Sequence, residues 1–83
     1  MVMTVRTLRD VAQEIRQDWK KPYFGAQPFI SAMLHLESIK DKYFVDDASE
    51  IVARFLCNAQ TWRGEVARRI KAELNEMLKG ARR

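Results

Sequence analysis

The chain has 83 residues, 47% hydrophobic and 31% charged, the balance of a folded globule rather than a disordered segment. Its 15 basic and 11 acidic residues leave a formal charge of +4, too mild to name a nucleic-acid binder on charge alone. One cysteine excludes a disulfide framework and a multi-cysteine zinc site, and no apolar run approaches the roughly 18 residues of a membrane span.

The length predicts a single domain over residues 1–83. A core of that size supplies about 3–5 kcal/mol, so each large apolar side chain matters. The opening Met1-Val2-Met3-Thr4 lacks the charged-then-apolar layout of a signal peptide, and the expected location is cytoplasmic.

The first predicted helix runs over 4–20. Thr4 or Thr7 caps it, and Thr7-x-x-Asp10 has capping-box spacing. Val5, Leu8, Val11, Ala12, Ile15 and Trp19 share one face. The polar remainder is sorted by sign. Arg6, Arg9, Arg16 and Lys20 lie on one flank, with Asp10, Glu14 and Asp18 on the other. Two explanations fit: charges that meet neighbouring helices, or a flank that docks on a charged partner.

Lys21–Pro28, KPYFGAQP, gathers the helix breakers. Pro22 disfavours a helical Lys21, Gly25 suits a turn, and Pro28 suits the first turn of the next helix. Tyr23 and Phe24 are expected to fold back beside Trp19 and Phe29; an exposed aromatic contact surface is the alternative. The second predicted helix covers 28–40. Phe29, Ala32, Met33, Leu36 and Ile39 make its main stripe, while Ile30 and Leu34 point elsewhere. A helix apolar on two sides is central in the fold or half committed to an interface. Ile30 and Leu34, with Arg6, Arg9, Arg16 and Lys20, are therefore the candidate partner-binding residues, and the first two would serve a homodimer.

Asp41–Val45 reads as a turn or extended link, with Tyr43 or Phe44 plugging the core. Asp46 or Asp47 then caps a third helix over 46–59, where Ala48, Ile51, Val52, Phe55, Leu56 and Ala59 share a face. The last helix is predicted over 61–79, with Thr61 as N-cap and Gly80 in the left-handed position past its end. Val66, Ile70, Leu74, Met77 and Leu78 fall on one side; Arg68, Lys71, Asn75 and Lys79 fall opposite. The expected fold is all-α: a small four-helix domain about one core, with Trp19, Phe29, Phe55, Trp62, Arg63 and Ile70 as structural residues. Arg63 lies near the axis of the last apolar stripe. Either its stem snorkels to water, or it is buried and pairs with Asp18, Asp46 or Asp47.

His35 and Cys57 stand alone, with no base, nucleophile or ligand set around them in the sequence. The expectation is no catalytic residue, no metal, no cofactor and no enzymatic turnover. Arg68, Lys71, Lys79, Arg82 and Arg83 form a basic outer edge, interrupted by Glu76, which is the alternative nucleic-acid surface. The connection Asn58-Ala59-Gln60-Thr61 lacks the usual helix-turn-helix glycine.

Asp18–Met33, DWKKPYFGAQPFISAM, and Asn58–Leu74, NAQTWRGEVARRIKAEL, together with Leu36–Phe55, resemble a family of small uncharacterised helical proteins of bacteriophages, prophages and related mobile elements. The aromatic-Gly-Ala-x-Pro loop at Tyr23–Pro28 and the Thr61-Trp62-Arg63-Gly64 start carry most of it. The family brings no catalytic residues. What the resemblance implies is a bacterial host cell and a role common among phage proteins of this size, binding and blocking a host protein or ribonucleoprotein complex. Anti-CRISPR and anti-restriction proteins are examples.

Overall fold

The computed structural model describes residues 6–81. Four helices, α1 (Leu8–Asp18), α2 (Gln27–Met33), α3 (Ala48–Cys57) and α4 (Glu65–Ala81), surround one apolar core. A two-residue antiparallel hairpin, β1 (Lys42–Tyr43) with β2 (Asp46–Asp47), stands between α2 and α3. The chain is mostly helical, as expected, with a small two-stranded sheet that the sequence reading did not include. No helix among the described residues is long and apolar enough to cross a membrane. The proposed Thr4 cap and Val5, Arg82 and Arg83 lie outside the described residues.

α1 begins where its sequence asks it to. Thr7 is extended, and its hydroxyl accepts the Asp10 N–H at 3.1 Å. Two further first-turn donors are met by tertiary contacts: the Leu8 N–H donates to Glu37 O at 2.9 Å and the Arg9 N–H to Leu36 O at 3.0 Å. The helix closes with the Trp19 N–H on Ile15 O, before the predicted Lys20.

α2 ends at Met33, well short of residue 40. Past it the chain tightens into i to i+3 turns, with the His35 N–H on Ala32 O and the Leu36 N–H on Met33 O. That bend turns the Leu36 and Glu37 carbonyls toward α1, and Asp41 Oδ2 accepts the N–H groups of Glu37 and Ser38. Leu36 stays buried at the expected spacing while the helix itself has stopped.

The hairpin pairs Tyr43 with Asp46 and Lys42 with Asp47, leaving a two-residue loop of Phe44 and Val45. Phe44 has φ 58, and Val45 does not share a positive φ, the sign pattern of a type II′ turn. Such a turn normally takes glycine at its first central position. Asp47 precedes α3 in extended conformation but makes no side-chain cap; the Ala48 N–H goes to Asp41 O at 2.8 Å.

α4 starts four residues later than expected. Thr61 is exposed, and Gly64, with φ 115, makes the entry turn; its carbonyl accepts the Arg68 N–H. Gly80, expected to be left-handed past the end, lies inside the helix without a positive φ.

The core is filled by Leu8, Ile15, Ile30, Met33, Phe55, Ile70 and Leu74, all but fully buried. α2 packs against both α1 and α3, which accounts for its two apolar sides. Ile30 is buried, and Leu34 is partly buried against the same core. The predicted docking or self-association face through Ile30 is therefore corrected to an inner contact.

Candidate interaction surfaces

Trp62 organises the junction where α1 ends and α4 is about to begin. Its ring stacks on Trp19 at 5.6 Å with 9° between planes, and Phe55 meets both rings edge-on at 6.4 and 6.3 Å. A buried indole needs an acceptor for its N–H, and Asp18 Oδ2 supplies it at 2.8 Å. Asp18 was one carboxylate considered for Arg63. Arg63 is exposed instead and makes no ion pair among the described residues.

The sorted charges of α1 are engaged largely within the chain. Arg6 binds Glu73 in a fork, Nε to Oε2 at 3.0 Å and Nη2 to Oε1 at 2.7 Å. Its remaining nitrogen reaches Glu14 Oε1 at 2.6 Å, and Arg69 closes on Glu14 Oε2. Hydrogen bonds from Arg69, then from Arg6, hold the Glu14 carboxyl below the ordinary glutamate value. The bond to Glu73 leads in raising the Arg6 guanidinium pKa, so its charge is permanent. This four-residue network straps α1 to α4. Arg9 pairs with Glu37 at 3.1 Å, Arg16 donates to Ser31 at 3.3 Å, and Lys20 is exposed with no carboxylate partner among the described residues. Of the basic flank, Arg6 is thus withdrawn from any free surface and Lys20 remains open.

The predicted basic edge of the last helix also divides. Lys79 sits 3.7 Å from Glu76, while Arg68 is exposed and unpaired among the described residues. Lys71 is half-buried, donates to Trp62 O at 2.6 Å and lies 6.0 Å from the Trp62 ring centroid. Burial, and then the charge of Arg63, lower its pKa.

Among the described residues, two places leave large apolar side chains in water. At the hairpin tip Phe44 is 85% and Val45 91% exposed, so of the two residues expected to plug the core, Tyr43 or Phe44, it is not Phe44. Tyr43 takes that role in part, packed on the core and stacked with His35 at 6.1 Å. In the loop before α2, Tyr23 is 46% and Phe24 76% exposed, where folding back had been expected. Phe29 and Trp19 do pack on the core, so the loop turns its aromatics outward past them. Gly25 is closely approached by side chains: a Cβ there would meet Tyr23 Cε2 at 2.6 Å and Asn58 Oδ1 at 2.9 Å, and both would have to move.

His35 and Cys57 are exposed. Among the described residues no group of three or more His, Cys, Asp or Glu side chains is placed to hold a metal ion. The exposure of Phe44 and Val45 carried no advance signal, because Tyr43-Phe44-Val45-Asp46 lacks the Asn or Gly that marks a two-residue hairpin turn.

The fold and these surfaces define a small helical domain with a hairpin appendage, whose uncommitted apolar and basic groups lie on the outside. Comparisons with protein-family models, with curated proteins and with solved structures find no match to this chain.

Proposed function

We propose that this chain works by contact: it occupies the surface of a host macromolecule and blocks it without turnover. The observation that carries the reading is the Phe44–Val45 tip. A bulky L-residue held at positive φ is a strained choice, and strain of this kind collects at ligand-contacting positions. Here the strained residue is also among the most exposed apolar groups of the chain. A protruding aromatic on a stiff two-residue turn suits a pocket on a protein partner, where aromatic anchors dominate binding energy.

The resemblance to small phage-encoded proteins supports a bacterial host protein or ribonucleoprotein complex as target, a CRISPR nuclease complex being one such target. The place of action is then the host cytoplasm. The test is capture from host lysate with the parent chain and with Phe44→Ser, followed by a CRISPR interference assay. Specific partners retained by the parent and lost by the variant support the reading. Equal capture by both, or no stable protein partner together with unchanged interference, overturns it.

A further inference from the structure

The end of the bundle away from the hairpin carries a second, different chemistry. α3 starts beside β2 and finishes at Cys57, and α1 runs from the Leu36–Glu37 contact to the Trp19–Trp62 stack, about 16 Å at 1.5 Å per residue. At that far end three stretches meet. Tyr23 shares a shallow cleft with Cys57, Asn58, Gln60 and Thr61. Trp62 and Arg63 follow directly, and Arg63, Gly64, Arg68 and Lys71 line the next cleft, of about 310 Å³. Lys20 and Lys21 follow Trp19, whose ring lies on Trp62.

The belt so formed is predominantly basic. Lys20, Lys21, Arg63 and Arg68 are exposed and, among the described residues, have no carboxylate within ion-pair distance. Of the nearby acids, Asp18 is held by the Trp62 indole and Glu65 opens α4. Lys71 and Arg63 stand close enough for each to oppose the other's charge. The hairpin end differs: Lys40 and Lys42 are accompanied there by Asp41, Asp46 and Asp47. The rings of Tyr23 and Phe24, which follow Lys20 and Lys21 closely in the chain, face water 4.9 Å apart and tilted by 54°, and Tyr23 borders the cleft of Gln60 and Thr61 that leads to Arg63.

We infer that this end binds single-stranded nucleic acid, with Phe24 and Tyr23 stacking bases and Lys20, Lys21, Arg63 and Arg68 holding phosphates. A single strand supplies both things the belt lacks, a flat apolar face and a run of negative charge. A duplex offers the charge but keeps its bases stacked inside. An acidic peptide offers charge without the faces. The recognition is sequence-tolerant, because the belt presents charges and rings rather than a buried hydrogen-bonding pocket. This goes beyond protein contact at the hairpin tip and does not depend on it.

The experiment uses the full chain and fluorescence anisotropy with a labelled mixed-sequence oligonucleotide of about 15 nucleotides, DNA and RNA, across a salt series. The matching duplex serves as competitor. The parent is expected to bind with log K falling linearly in log salt at about 0.7 per phosphate held. Arg63→Gln with Arg68→Gln should cut that slope by about 1.4. Phe24→Ala should weaken binding about 5-fold or more with the slope retained. Arg54→Gln, on α3 beside Glu50, should change neither. Thermal melts of each variant separate unfolding from lost contact, since every substituted side chain is exposed. No salt-dependent binding of either oligonucleotide overturns the inference. So does a slope indifferent to Arg63 and Arg68, or a duplex that competes as well as the single strand with Phe24→Ala neutral. The hairpin reading survives any of these results, because Phe44 takes no part in them.

Discussion

Replacing Phe44 by glycine separates a residue that holds the fold from one that serves a partner. The left-handed conformation costs an L-residue about 1–2 kcal/mol, which glycine would recover. Glycine gives back about 0.4–1 kcal/mol through its freer unfolded chain. The residue is 85% exposed. The covered remainder of an aromatic side chain of about 200 Å² is then about 30 Å², worth about 0.8 kcal/mol at 25 cal/mol per Å². Gains and losses nearly cancel, so Phe44→Gly should stay within about 1 kcal/mol of the parent, a change in Tm below about 8 °C. A buried phenylalanine truncated in the same way would cost about 3–5 kcal/mol. Urea denaturation and thermal melts followed by circular dichroism measure the difference. Loss of more than about 2 kcal/mol would show that the ring supports the fold, and the argument from strain and exposure would fail. Affinity for a captured partner should meanwhile drop about 30-fold or more, the loss expected for a hot-spot side chain.

Glu14→Gln should destabilise the chain by about 1 kcal/mol at neutral pH, a figure kept small because the network is partly solvated. The folded pKa of Glu14 lies below its unfolded value of about 4.3, so the carboxylate's contribution is present above that pH and is lost as pH falls through the folded pKa; urea melts at pH 7 and in acid should show the parent converging on the variant. Gly25→Ala should cost about 1 kcal/mol, the low end for overpacking, because the partly exposed Tyr23 ring and the Asn58 amide can swing aside, and Tyr23→Ala in the same chain should recover part of it, measured as a double-mutant cycle. Phe55→Ala, removing the ring that meets both tryptophans edge-on, should cost about 3–5 kcal/mol and leave the chain largely unfolded by circular dichroism at ambient temperature.

Much of α1 and α3 was legible because their buried positions recur at the helical period, Leu8, Val11, Ala12 and Ile15 in one and Ala48, Ile51, Val52 and Phe55 in the other. The length of α2 was not. Leu36 and Ile39 keep the spacing, but the Leu36 and Glu37 carbonyls are claimed by donors nearly thirty residues earlier, a contact no local window contains. The hairpin was hidden by its own turn, where an aromatic stands in glycine's usual place. At the start of α4, Thr61 offered a ready cap, yet the positive φ that the entry needs falls on Gly64. Charge sorting along α1 was visible, but its meaning depended on where Glu73 and Arg69 would arrive from α4. The basic-aromatic belt was least visible, because Lys20, Tyr23, Phe24, Arg63 and Arg68 are drawn from separate segments that only the packing of Trp19 on Trp62 unites.

Placing both of the chain's tryptophans in a single stack has a practical consequence. All intrinsic indole emission arises from one spot, so the molecule carries its own optical reporter beside the proposed oligonucleotide surface. A ligand seated there should alter the quantum yield, whereas one held at the distant Phe44 loop should leave it dark to detection. Unlabelled protein titrated with each kind of partner can therefore say which end has been occupied.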